Sequence, residues 1–202
     1  IRIEEKVGII TCVMEDMAKD GGFARFALPR LPQEIGNAPP VPDIARSLGL
    51  EPDDIGCELY KPGLYSAGVE FYLVPVRDAK TLARVTPERR GWKDVFPIGH
   101  NAVYAFTTTP EERGIDIAAR MFSPGMGLGE DPATGGAAAA LIGLLAEQAV
   151  GTGQTDYVLR QGYEMGRPCR ITLQLRNDND VLVYGAIGGE AVVVGEGVLD
   201  LD

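Results

Sequence analysis

Apolar and polar positions alternate through the opening of the chain. Ile1, Ile3, Val7, Ile9 and Val13 are apolar, with Arg2, Glu4, Lys6 and Thr11 between them. That is the period of a strand with two unlike faces. Asp20-Gly21-Gly22 supplies a turn into an apolar run at 23–28, so the segment predicts a β-ribbon. Residues 29–42 are rich in proline and hold Gly36 and Asn37, the composition of a linker between lobes. A short helix is predicted from Pro42 or Asp43 to Leu48, stopped by Gly49. Residues 64–76, LYSAGVEFYLVPV, predict one strand, with Gly68 inside it as a bulge or a close backbone approach. Residues 78–84 suit a helix, and 102–108 and 115–122 read as strands joined through a turn at 110–114.

The pattern changes after residue 130. From Ala137 to Val150 only Glu147 and Gln148 are polar, and Gly151 is a fitting stop. A helix apolar on nearly every face has to be surrounded by protein. Asp131 at an N-cap and Pro132 at the first helical position would start it, which predicts a central helix over 131–150. Further strands are predicted at 170–175, 181–187, 191–194 and 198–201, with turns at 177–180 and at Gly188-Gly189. One long apolar helix among many short strands predicts an α+β fold with the sheet rolled around that helix.

Composition narrows the chemistry. The chain has 202 residues, 45% hydrophobic and 24% charged, an ordinary globular balance. A net charge of −10 repels phosphate backbones, and no basic run is longer than Arg89-Arg90, so nucleic acid is not an expected partner. Cys12, Cys57 and Cys169 lie far apart and there is a single histidine, His100, so neither a disulfide framework nor a metal site is expected. The thiols suit a reducing cytoplasm. The most apolar run, 137–146, is far shorter than the roughly 20 residues that span a bilayer, so no membrane insertion is expected. The chain opens at Ile1 in mid-strand pattern, as expected of a chain whose first strands lie elsewhere.

The start of the apolar helix carries the candidate chemistry. Thr134, Gly135 and Gly136 fall in its first turn, where each glycine lowers stability by about 0.5–1 kcal/mol relative to alanine. Glycine there leaves bare N–H groups at the positive end of the helix dipole, a cradle for a carboxylate or phosphate, or else allows tight packing on a neighbouring strand. Asp131 suits a cap, and a carboxylate at such a place can also hold a substrate amine or pass a proton. GMGLGEDPATGG lacks the spacing and the lysine of a nucleotide phosphate loop.

The run at 120–141, RMFSPGMGLGEDPATGGAAAAL, resembles the second-lobe signature of the phenazine-biosynthesis PhzF-like isomerases, approximately RxFxPxxGxxEDPATGSAxxxL. QGYEMGRP at 161–168 resembles the family's QGxxMGRPS, and 65–76 its strand STGxxFxLVPV. The resemblance implies a diaminopimelate-epimerase-like fold of two lobes with the active site in the cleft between. Residues 1–36 would be the last strands of the first lobe and a linker, and 37–202 the second lobe. It further implies cofactor-independent proton transfer on a small carboxylated substrate, with Asp131 catalytic and Thr134, Gly135 and Gly136 against the substrate. The family's glutamate base and cleft histidine belong to a first lobe outside this chain, which alone would be inactive. A homodimer is also implied. Gly136 stands where the family carries a substrate-binding serine, and His100 matches no family position. The related epimerases place a catalytic cysteine where Thr134 stands, which argues against a two-thiol mechanism. A non-catalytic binding protein on the same scaffold is the alternative.

Overall fold

The computed structural model describes residues 1–18, 20–57 and 59–198. The strands among them join into one 12-stranded sheet. In chain order they are β1 (Arg2–Glu5), β2 (Gly8–Ala18), β3 (Gly21–Ala27), β4 (Gln33–Asn37), β5 (Gly63–Ser66), β6 (Glu70–Pro75), β7 (Val103–Thr107), β8 (Ile117–Ser123), β9 (Leu128–Asp131), β10 (Gly153–Gln161), β11 (Cys169–Asp178) and β12 (Val181–Val192). Their spatial order is β1-β2-β3-β12-β11-β10-β8-β7-β6-β5-β4, with β9 added beside β8. Pairing is antiparallel except between β10 and β8 and between β6 and β7.

The apolar helix α4 spans Gly135–Ala146, and every residue from Ala137 to Ala146 is buried. It packs on β11 and β12 and on β4, β5 and β6. Tyr104, Phe106, Ile117, Leu141, Leu159 and Leu173 belong to this inner core. Three short helices cover the outer face: α1 (Val41–Leu48), α2 (Ala79–Arg84) and α3 (Trp92–Val95). Ile44, Leu48, Trp92 and Phe96 pack there against Tyr72, Val74 and Val103. Strands β6 to β8 are therefore buried on both faces, which explains their nearly continuous apolar sequences. The α+β architecture with a central helix is as expected from the sequence.

Several local expectations are corrected. Residues 64–76 form two strands, not one. Gly68, at φ +136°, turns the chain between β5 and β6, and its N–H donates to Ser66 Oγ at 3.0 Å. The proline-rich stretch is not a bare linker, since β4 within it pairs with β5. Gly188-Gly189 makes no turn and lies inside β12. A side chain at Gly188 would meet the Ala24 carbonyl oxygen at 2.9 Å and Phe23 at 2.8 Å, so glycine there permits close strand approach. The segment expected at 198–201 lies outside the described residues beyond Val198.

The helix expected at 131–150 is shorter at both ends. Asp131 is no N-cap: it ends β9, held extended by pairing with Met121 of β8 and by the proline that follows. Thr134 is the residue before the helix, and its side chain does not cap it.

Candidate active site

The turn from Asp131 to Thr134 joins β9 to α4, and two anchors fix it. The first is the pair Arg120–Glu130, which makes two parallel bonds of 2.8 Å, from Nε to Oε1 and from Nη2 to Oε2. Arg120 also donates from Nη1 to the carbonyl oxygens of Leu82, Ala83 and Val85, which close the end of α2. Arg120 and Glu130 side chains are only 9% and 15% exposed, so this fork holds β9 against β8 in a largely dry setting.

The second anchor is Gln161, at the end of β10, 1% exposed. Its Oε1 accepts from the Tyr104 hydroxyl at 2.9 Å and from the Thr134 N–H at 3.2 Å. Its Nε2 donates to the Asp131 carbonyl oxygen at 2.7 Å and to Thr134 Oγ1 at 2.9 Å. The Thr134 hydroxyl donates to Asp131 Oδ2 at 2.6 Å. Gly162 completes the socket: at φ +79°, it leaves room for the Pro132 carbonyl oxygen, which a Cβ would meet at 2.7 Å.

Beside this turn lies a cleft of about 590 Å³. Ala133 and Gly135 form its floor, β3 contributes Phe26, and β11 and β12 contribute Cys169, Arg170 and Ile187. Apart from Ala138, which bonds back to the Thr134 carbonyl oxygen, the first N–H groups of α4 (Gly135, Gly136 and Ala137) have no acceptor among the described residues. They supply the donors and partial positive charge that an anion needs. Arg170 adds a cation at the cleft, which the Glu190 carboxylate also lines. Its guanidinium bonds Tyr163 and Glu112, with the Glu112 oxygen at 3.2 Å, and these bonds hold it further above its already high ordinary value. Arg160 stacks on the Tyr163 ring at 4.6 Å, placing a second cation behind that wall.

Of the residues singled out in the sequence, the structure brings Asp131, Thr134, Gly135 and Gly136 into one turn and helix start. Gly135 lines the cleft with its backbone, whereas Asp131, Thr134 and Gly136 are not part of its lining. Asp131 is partly exposed, and its Oδ1 carries no hydrogen bond among the described residues. The Thr134 side chain is engaged with Asp131 and Gln161 and not with open space. Gly136 is exposed, and a Cβ there would meet only the Phe71 ring edge at 3.4 Å, an ordinary contact. His100 does not line the cleft. Sequence reading missed Tyr104 and Gln161. The available signal was the Gln-Gly pair that opens QGYEMGRP, a polar side chain and a positive-φ glycine together at a strand end.

Set beside known proteins, the chain matches the family model described as phenazine biosynthesis-like protein over residues 1–197. It belongs to that family. It is 34% identical over 205 residues to an uncharacterized isomerase of Mesorhizobium japonicum, an alignment covering 98% of this chain and 67% of that protein. It is 30% identical over 156 residues to the trans-2,3-dihydro-3-hydroxyanthranilate isomerase of Pseudomonas aeruginosa, covering 77% of this chain and 51% of the enzyme. The crystal structure of a PhzF-family phenazine biosynthesis protein from Bacillus anthracis superposes with a TM-score of 0.77 at 22% identity, over 96% of this chain and 68% of that one. The chain thus spans between half and about two thirds of the length of these relatives.

Proposed function

We propose that this chain is the substrate-binding half of an isomerase that moves a proton on a small carboxylated metabolite by acid–base chemistry, without a cofactor. The observation that carries the reading is the open N–H of Gly135 at the cleft, with the Asp131 carboxylate in the turn that leads into the same helix start. In this reading the Gly135 and Gly136 N–H groups hold the substrate carboxylate, and the cation at Arg170 favours its entry. Asp131, with Oδ1 unbonded, orients the substrate or carries the migrating proton. The relatives' names as isomerases agree with this class of reaction.

The opposite wall and the base belong, in this reading, to a preceding lobe whose last strands lie within residues 1–36, ahead of β4. Ile3, Ile9 and Val13 on β1 and β2, and Ile1 just before β1, are exposed large apolar residues, which suits a surface that meets more protein. The substrate need not be that of the Pseudomonas enzyme, because Gly136 offers no hydroxyl where the family signature has serine.

Replacing Asp131 with Asn in the full-length protein is expected to lower turnover by about 100-fold or more, the scale of a lost acid–base group, with circular dichroism unchanged. Turnover equal to wild type would remove Asp131 from the mechanism.

A further inference from the structure

We propose that Gln161, locked by Tyr104, is the positioning residue that commits the Thr134 hydroxyl proton to Asp131, leaving Asp131 Oδ1 as the one open oxygen of that carboxylate. The inference rests on the reading of Asp131 as the working carboxylate.

The hydrogen-bond directions can be derived without ambiguity. The Thr134 backbone N–H can only donate and the Asp131 carbonyl oxygen can only accept, so the Gln161 amide fits in one orientation: Oε1 toward Thr134 N, Nε2 toward Asp131 O. Burial first, and then the nearby Asp131 carboxylate, push the Tyr104 phenol well above its ordinary value. It therefore keeps its proton and donates to Oε1, the second lone pair of which it occupies. With Nε2 thus aimed at Thr134 Oγ1, that oxygen is an acceptor on the Gln161 side. Its single proton points the other way, to Asp131 Oδ2 at 2.6 Å.

All four hydrogen-bonding positions of the Gln161 amide are filled, in a pocket of 1% exposure, so the chain Tyr104 to Gln161 to Thr134 to Asp131 has one direction and no rotatable alternative. Gly162 adds a steric lock on the same turn through its contact with Pro132. The catalytic consequence is geometric. A carboxylate free to rotate would present either oxygen to a substrate held by the helix start, whereas this one presents Oδ1 only.

The test needs no substrate, so it stands apart from the success or failure of the functional reading. The full-length protein is labelled with 13C at the aspartate side-chain carboxyls, and the Asp131 resonance is assigned by its loss in Asp131→Asn. Gln161→Met keeps the volume and removes both donors; Gln161→Glu keeps the shape and offers the Thr134 hydroxyl a competing acceptor. Both are expected to shift the Asp131 resonance, as Thr134→Val does, while Thr134→Ser leaves it in place. In the Thr134→Val background, Gln161→Met is expected to add only a small further shift, from its lost bond to the Asp131 carbonyl oxygen, because its main effect runs through Thr134. A wild-type Asp131 resonance in either folded Gln161 variant would overturn the proposal. So would a full, additive shift in the double variant, which would mean that Gln161 acts on Asp131 through the backbone carbonyl and not through Thr134.

Discussion

At the scale of single residues, the site depends on a few positions where only one side chain fits. Gly162 is the sharpest. Its φ of +79° and the approach of the Arg167 carbonyl oxygen, 2.3 Å from where a Cβ would stand, leave no space for alanine. Gly162→Ala is expected to lower unfolding free energy by roughly 2 kcal/mol, from the left-handed backbone and the displaced Pro132 turn together. Urea denaturation measures this, and a loss below about 0.5 kcal/mol, the ordinary surface value, would show that the socket yields easily. Gly136 is the opposite case. Its Cβ direction is open apart from Phe71, so the missing serine reflects no packing constraint and alters the chemistry available to the substrate.

At the scale of elements, the apolar helix was legible from Ala137 onward because no face of it tolerates water. Its start was not. The Asp-Pro pair reads equally as a cap followed by a first helical residue or as an extended residue before proline, and only the pairing of β9 with β8 decides. Strand β10 escaped notice because its first half, GQTDY, is polar and largely solvent-facing, while its buried end carries Gln161. The residues that set Asp131 were hidden for a related reason: Gln161, 30 positions away, meets it only across neighbouring strands, and Tyr104, 27 positions away, acts through Gln161. Asp78 caps α2, accepting from the Thr81 N–H at 2.7 Å. That bond, with the Thr81 hydroxyl, holds the Asp78 carboxyl below its ordinary value of 3.8. A depressed carboxyl stabilises the fold above its unfolded value and ceases to do so as pH falls through the folded one. Asp78→Ala is therefore expected to cost about 1 kcal/mol at neutral pH, the usual worth of a cap. The gap should narrow in melts as pH falls through the folded value of Asp78, where the cap loses its charge. An undiminished gap there would assign the effect to packing.

At the scale of the whole molecule, the sheet holds two kinds of surface. Around α4 both faces of β6 to β8 are sealed, whereas β1 and β2 leave large apolar side chains in the open. The cleft lies toward that bare end, between β3, β11, β12 and the helix start. A site with a helix-start donor on its floor and Arg170 at its edge suits, in the proposed reading, an anionic group, and a second wall would exclude the water that competes for proton transfer. In the proposed reading, binding alone would need only the cradle, whereas proton movement would also need the carboxylate of Asp131. The direct measurement is solvent isotope exchange. The full-length protein is incubated in deuterated water with a panel of small carboxylic acids headed by trans-2,3-dihydro-3-hydroxyanthranilate, and each acid is analysed by mass spectrometry. Deuterium is expected to enter a carbon position of at least one acid with wild-type protein and not with Asp131→Asn. An acid that binds tightly by calorimetry and gains no deuterium, with no other member of the panel exchanging, would make this a binding protein and contradict the account.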